Sequence, residues 1–248
     1  GFKTAVNGSL AKYSLVDQVI DEYVDSTGID AANSTNELLT GGAYSGGSNI
    51  NPTGGTVTEY TSGGTTYVVN TFTSNGNYVI PSGGNPSIDA LLVGGGGKGG
   101  AGTYGVGGGG GGTVLHRTGY QPGAGTYAVV IGAGGTTLSN NDGQSGGATT
   151  FNSFSASGGG GGGGDHRVGL AGANGGGAGW SKDGGAGSNP TASGWTIYGG
   201  NDGGSGFNGY AHGGGGGGGA TGDGQDGTNN DGGDGGDGKQ IAIANTNL

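Results

Sequence analysis

Between Gly94 and Gly238 glycine is the main building material: all but fourteen of the chain's 75 glycines lie in this stretch. Four uninterrupted runs stand out, Gly94–Gly97, Gly107–Gly112, Gly158–Gly164 and Gly213–Gly219. Neither an ordinary helix nor an ordinary sheet favours such runs, because glycine loses the most backbone entropy on folding and packs no side chain. Two readings are compatible with them. The runs are flexible linkers, or they are extended left-handed helices of the polyproline-II shape, three residues per turn with ~3.1 Å rise, packed side by side. Without Cβ atoms such helices approach until backbone N–H and C=O groups bond between neighbours, with Cα–H···O contacts adding a little.

Composition narrows the choice. Charged residues make up only 10% of the chain, so charge repulsion does not keep it open. The five prolines and the absence of a sustained G-X-Y period exclude collagen. A net charge of −10 with seven scattered basic residues disfavours nucleic acid or an anionic membrane surface as partner. No apolar run is long enough to insert into a bilayer. With no cysteine, neither disulfides nor thiolate metal sites hold the fold.

Residues 1–53 have a more ordinary composition and read as a first unit. Leu15, Val16, Val19, Ile20, Tyr23 and Val24 share one helical face, Ser14 and Asp17 resemble a capping box, and Gly28 ends the helix. This small N-terminal helix is marginal alone, so its apolar stripe docks on the chain's own sheet or on a larger assembly. A Ser/Thr/Asn/Gly linker runs from Asn33 to Thr53. Residues 54–248 form the second unit. Thr56–Tyr60 and Thr65–Phe72 flank a hairpin turn at Ser62-Gly63-Gly64, and Tyr78–Ile80 ends at Pro81. Strands are also expected at Ile88–Val93, Thr113–Arg117, Thr126–Ile131, around Phe151 and Phe154, and at Gln240–Ala244. Strands thus bracket the glycine runs, which favours packing over disorder. The expected fold is mainly β: a short strand region leading into a glycine-rich sandwich of packed polyglycine-II helices.

The segment from Phe72 to Pro81, FTSNGNYVIP, followed by Ile88–Gly97, IDALLVGGGG, resembles the opening of glycine-rich domains in phage and prophage tail proteins. The similarity continues through Tyr127–Gly135, YAVVIGAGG, and covers roughly Thr56 to Leu248. What it implies is a family that includes tail-fibre-tip adhesins, with a polyglycine-II sandwich carrying variable receptor-binding loops.

Motifs for other chemistry fail on their own terms. A Walker A loop ending at Gly97-Lys98 needs glycine where Leu92 stands and Ser or Thr where Gly99 stands. Gly232–Asp237 matches the start of a calcium-binding nonapeptide, but Lys239 occupies its apolar position and the unit does not recur. Asp231, Asp234 and Asp237 would share one edge of a three-residue helix ~9 Å apart, too far to share one ion. His116, His166 and His212 lack metal-ligand spacing, and no nucleophile, base and orienter assemble from neighbouring positions. No catalysis, metal or cofactor is expected.

Packed rods of similar length send every insert to one of their two ends. Trp180, Lys182, Asp183, Trp195, Tyr198 and Tyr210 lie in the longest non-repetitive insert, and Asp165, His166 and Arg167 interrupt glycine elsewhere. Aromatic and charged residues on rigidly held loops suit binding. They equally suit capping of the open rod ends, and both readings stand at this point. The expected function is therefore a non-enzymatic adhesin on the surface of a virion, a tail or head fibre. It would bind a host cell-surface protein or glycan through its loops and join the particle through residues 1–53. A purely structural, filament-forming extracellular protein is the alternative.

Overall fold

A computed structural model describes residues 51–62, 65–138, 141–210 and 212–243, together with the backbone of three short strands nearer the termini. The chain divides into two units, Gly1–Asn51 with Ile80–Gly84, and Pro52–Val79 with Asn85–Leu248. In the first, β1 (Ala5–Val6) pairs antiparallel with β2 (Ser9–Leu10). The helix expected between Ser14 and Gly28 lies outside the described residues.

The second unit is mainly β, with antiparallel sheets and no helix among the described residues. Its first hairpin joins β3 (Thr56–Ser62) to β4 (Thr65–Thr71), in register from Thr56 opposite Thr71 to Ser62 opposite Thr65. Tyr60 and Tyr67 face each other across it, rings stacked 4.9 Å apart, the kind of cross-strand pair that stabilises an antiparallel ladder. Two larger sheets follow. One has the order β10-β9-β8-β5, from Phe154–Ala156, Thr149–Phe151, Gly125–Val130 and Gly76–Ile80. The other is β11-β7-β6, from Thr196–Tyr198, Val114–Tyr120 and Ile88–Val93. β11 was not expected from the sequence. Within the expected closing strand at Gln240–Ala244, Ala242–Ile243 form β12, which pairs with β13 (Thr246–Asn247) and, among the described residues, joins neither larger sheet.

A small aromatic core joins the two sheets. Phe151 of one touches Tyr78 edge-on at 5.7 Å and Tyr120 of the other at 6.3 Å; Phe154 meets Trp195 at 4.9 Å. Leu92, Leu115, Val129 and Ala156 are buried with them. Burial pushes the Tyr78 hydroxyl up to about 12.

The strands run directly into the glycine segments: β6 into Gly94, β8 into Gly132, β10 into Gly158 and β11 into Gly199, while β7 and β9 emerge from Thr113 and Ala148. These segments are neither helix nor strand, yet their amides are paired between segments at every third residue. Gly94, Gly97 and Gly100 donate to the carbonyls of Thr113, Gly110 and Gly107; Gly107, Gly110 and Thr113 donate in turn to Gly163, Gly160 and Ser157, all at 2.8–3.0 Å. Gly160 and Gly163 donate onward to Asn174 and Gly177. Levels such as Gly100–Gly107–Gly163–Gly177 therefore cross four segments.

The segment Asn174–Gly179 is the most enclosed. Its amides donate to Asn201 and Gly204, to Leu170 and Arg167, and to Gly108. Its carbonyls accept from Gly160 and Gly163, from Gly215 and Gly218, and from Lys182 and Gly185. Six segments thus surround it, three as acceptors and three as donors. Here the absence of a side chain is a steric requirement. A Cβ on Gly177 would lie 2.0 Å from the Gly215 carbonyl oxygen, and one on Gly162 2.1 Å from that of Gly107.

At the margins aspartate replaces a missing neighbour. The Asp223 and Asp226 carboxylates accept from the amides of Asp202 and Ser205, and Asp202 accepts from Gly187, each at 2.7 Å. Three of the seven aspartates after Asp165 thus satisfy backbone donors that would otherwise be unpaired.

Candidate functional site: the turns at one end of the glycine segments

Because the crossing levels are in register, the turns sort themselves. Gly102–Gly105, Asp165–His166, Trp180–Ser181 and the described part of Asn208–His212 lie at one end, beyond the Gly100–Gly107–Gly163–Gly177 level. The opposite end continues into the two sheets.

Four aromatic side chains from these turns meet. Trp180 sits between two imidazoles, its ring centroid 4.3 Å from that of His166 and 3.9 Å from that of His212. Tyr104 touches all three, at 6.0 Å from Trp180, 6.4 Å from His166 and 4.8 Å from His212. The Trp180 Nε1 and His212 Nδ1 atoms are closed off from solvent without a hydrogen-bond partner, an uncommon state for buried polar atoms.

Backbone chemistry fixes the turns. Asp165 accepts from the Thr103 and Tyr104 amides, both at 2.8 Å, so it latches one turn to the next. The Trp180 amide donates to Gly105, and Ser181 donates to Phe207 through its amide and to Asn208 through its hydroxyl. Asn141, His166, Ser181 and His212 all hold φ between 53° and 68° at this end, whereas the one other such non-glycine among the described residues, Asn152, lies in the β9–β10 turn. Left-handed backbone in residues with a Cβ is uncommon, with Asn and His enriched, and it persists where surrounding structure enforces it.

The singled-out residues divide between the two ends. Lys182 and Asp183 are exposed at the turn end, and Tyr210 is 99% exposed there. His166 belongs to the aromatic cluster. Arg167 pairs with the buried Asp142 at 3.5 Å, and Asp142 also accepts from the Gly164 amide. Trp195 and Tyr198 belong to the other end. Trp195 is 7% exposed and packs against Tyr120 and Phe154, while the Lys239 ammonium lies 5.2 Å over the Tyr198 ring. The stretch from Gly179 to Tyr210 is therefore not one insert: Gly184–Ser188 and Asn201–Phe207 are themselves hydrogen-bonded segments crossing between the ends. Tyr104 and His212 complete the cluster; the sequence groups His212 with the aromatics of the inserts, whereas Tyr104 was not singled out. The signal for Tyr104 was a short polar-aromatic interruption, Gly102-Thr-Tyr-Gly105, between two glycine runs. Among the described residues no three His, Cys, Asp or Glu side chains are grouped so as to hold a metal.

The sequence model of the glycine-rich domain matches residues 70–246. The chain belongs to the glycine-rich domain family. No curated protein and no solved structure matches it. The family match spans both the sheets and the glycine segments, so the strands that feed those segments are part of this glycine-rich domain rather than an appendage to it.

Proposed function

We propose that this chain is a non-enzymatic adhesin, carried on the surface of a virion as part of a tail or head fibre, that binds a host cell-surface protein or glycan with the turns described above. In this reading the glycine segments are polyglycine-II helices. Hydrogen bonds at every third residue and six neighbours around Asn174–Gly179 support that assignment. The stiff array holds the turns, residues 1–53 attach to the particle, and recognition proceeds by contact without turnover.

One observation carries the reading: at the end away from the sheets, four turns bring aromatic and charged side chains together on one surface. There Tyr104, His166, Trp180 and His212 form a continuous ring surface, with Val168, Tyr210, Lys182 and Asp183 exposed close to it in sequence. A filament subunit would spread such groups along its flanks. Rings held by an enforced backbone lose little freedom on binding, which is how aromatic anchors become hot spots. The test applies fluorescent protein to a glycan array and to a panel of bacterial cells, comparing the native chain with Tyr104→Ala, Tyr210→Ala and Lys182→Ala. Saturable binding, weakened about tenfold or more in these variants at unchanged melting temperature, is the expected result. Undiminished binding in all three would move recognition to another surface.

A further inference from the structure

The segment Gly213–Gly219 has one side without a neighbour. Five segments surround it: its amides donate to Ala178 and Gly175 and to Gln225 and Gly222. Its carbonyls accept from Gly204 and Phe207, from Gly108 and Gly111, and from Gly233 and Gly236. Around the fully enclosed segment Asn174–Gly179, donor and acceptor neighbours alternate, and the same alternation here leaves a sixth place that would accept hydrogen bonds. The Gly214 and Gly217 amides, three residues apart and so on one side of the segment, have no acceptor among the described residues.

A groove of about 570 Å³ occupies that place, its floor the largely buried Gly214–Gly219 and its walls parts of Val106–Val114 and Gly232–Lys239. The Gly109, Gly233 and Gly236 carbonyls on its walls likewise have no donor among the described residues. The groove thus offers both amides and carbonyls at three-residue spacing. Its glycines add a second observation. A Cβ on Gly232 or Gly235 would find nothing nearer than 3.6 Å and 3.8 Å, and on Gly238 nothing within 4 Å, whereas on neighbouring Gly233 and Gly236 it would meet backbone at 1.8 and 1.9 Å. The protein's own packing accounts for glycine at 233 and 236 but not at 232, 235 and 238. An occupant that presses its backbone against the groove accounts for all of them.

We propose that this groove docks an extended, glycine-rich segment of another polypeptide, which enters as the sixth neighbour of Gly213–Gly219. That segment accepts from Gly214 and Gly217 and donates to carbonyls of the two walls. Close backbone approach demands glycine at most of its positions, as it does within the protein. This is the three-fold counterpart of strand addition to a sheet edge. It rests on the hydrogen-bond register and is independent of what the turns bind.

The probe is a dye-labelled synthetic peptide of Gly-Gly-Asn repeats, about twelve residues long so that at ~3.1 Å per residue it exceeds the groove. An Ala-Ala-Asn peptide of equal length serves as control, and anisotropy is read against the full chain. Saturable binding of the glycine peptide alone is expected. Gly232→Leu with Gly235→Leu, which fills the groove where a side chain has room, should weaken binding at least tenfold without lowering the melting temperature. Gly238→Leu provides an independent block should that pair disturb the fold. Gly96→Leu, equally open at 3.8 Å but outside the groove, should leave binding intact. No saturable binding to the native chain, or equal binding to the filled-groove variants, would overturn the proposal.

Discussion

The indole of Trp180 meets the imidazole of His212 edge-on, ring centroids 3.9 Å apart and planes at 82°. The two residues are 32 positions apart, and each stands at the start or end of a different glycine segment. Their contact exists because the register of backbone hydrogen bonds brings both turns to the same level. The two tryptophans of the chain therefore answer to different demands, and substitution should separate them.

Trp195→Ala removes a buried ring from between Tyr120 and Phe154 and should destabilise by about 3–5 kcal/mol. Trp180→Ala removes a partly exposed ring and should cost clearly less. Denaturant unfolding of both variants gives the comparison; equal losses would mean that the turn cluster is as much a core as the aromatic sandwich.

Alanine scanning along the glycine segments should sort by geometry rather than by run length. Gly162→Ala and Gly177→Ala bring a methyl to about 2 Å from a backbone carbonyl that cannot withdraw without breaking its level. Losses of several kcal/mol, or failure to fold, are expected. Gly235→Ala meets open space and should be neutral, or stabilising by about 0.4–1 kcal/mol through the unfolded chain. Thermal melts of the three variants decide it.

Amide hydrogen exchange should be uneven within one glycine run. The Gly215, Gly216, Gly218 and Gly219 amides have acceptors and the Gly214 and Gly217 amides have none. Faster exchange at Gly214 and Gly217 is expected; uniform protection across Gly214–Gly219 would contradict the register.

Alkali should weaken the sheets in a defined window. The Tyr78 hydroxyl has an ordinary value of 10.0 and is pushed up to about 12 in the fold. The unfolded chain therefore releases this proton first. The associated stability is present below pH 10 and is lost as pH rises from 10 to 12. Phenolate absorbance recorded alongside unfolding should show Tyr78 ionising with the loss of structure.

Much of the scaffold was legible in the sequence. Thr56–Ser62, Ile88–Val93 and Gly125–Val130 follow β-branched and aromatic patterns, and their junctions with glycine are abrupt. β11 was not legible, because Thr196–Tyr198 is short and has no alternation of its own; it is a strand because Val114–His116 offers an edge. The split between Trp180 and Trp195 was hidden for a related reason. Gly184–Ser188 and Asn201–Phe207 contain Ala, Ser and Asp, so they read as loop, although their backbones fit the same levels as pure glycine. Alanine survives wherever its methyl has room, as at the fully buried Ala178, and that depends on neighbours the sequence does not name. The cluster was half visible: each ring sits in an interruption of glycine, but which interruptions share an end follows from counting crossings.

The three-residue spacing of the hydrogen bonds has a consequence for how such a chain can vary. A glycine segment that gains or loses one residue rotates all its later donors by a third of a turn and aims them at the wrong neighbours, so its length can change only in threes. No such arithmetic applies to the turns. Residues can be added between Gly164 and Arg167 or between Phe207 and Gly213 while the phase of every segment is preserved, so long as the Asp165 latch to the Thr103 and Tyr104 amides is kept. The molecule thus separates a strictly metered frame from less strictly metered text, and the turns that carry the aromatic cluster fall on one face.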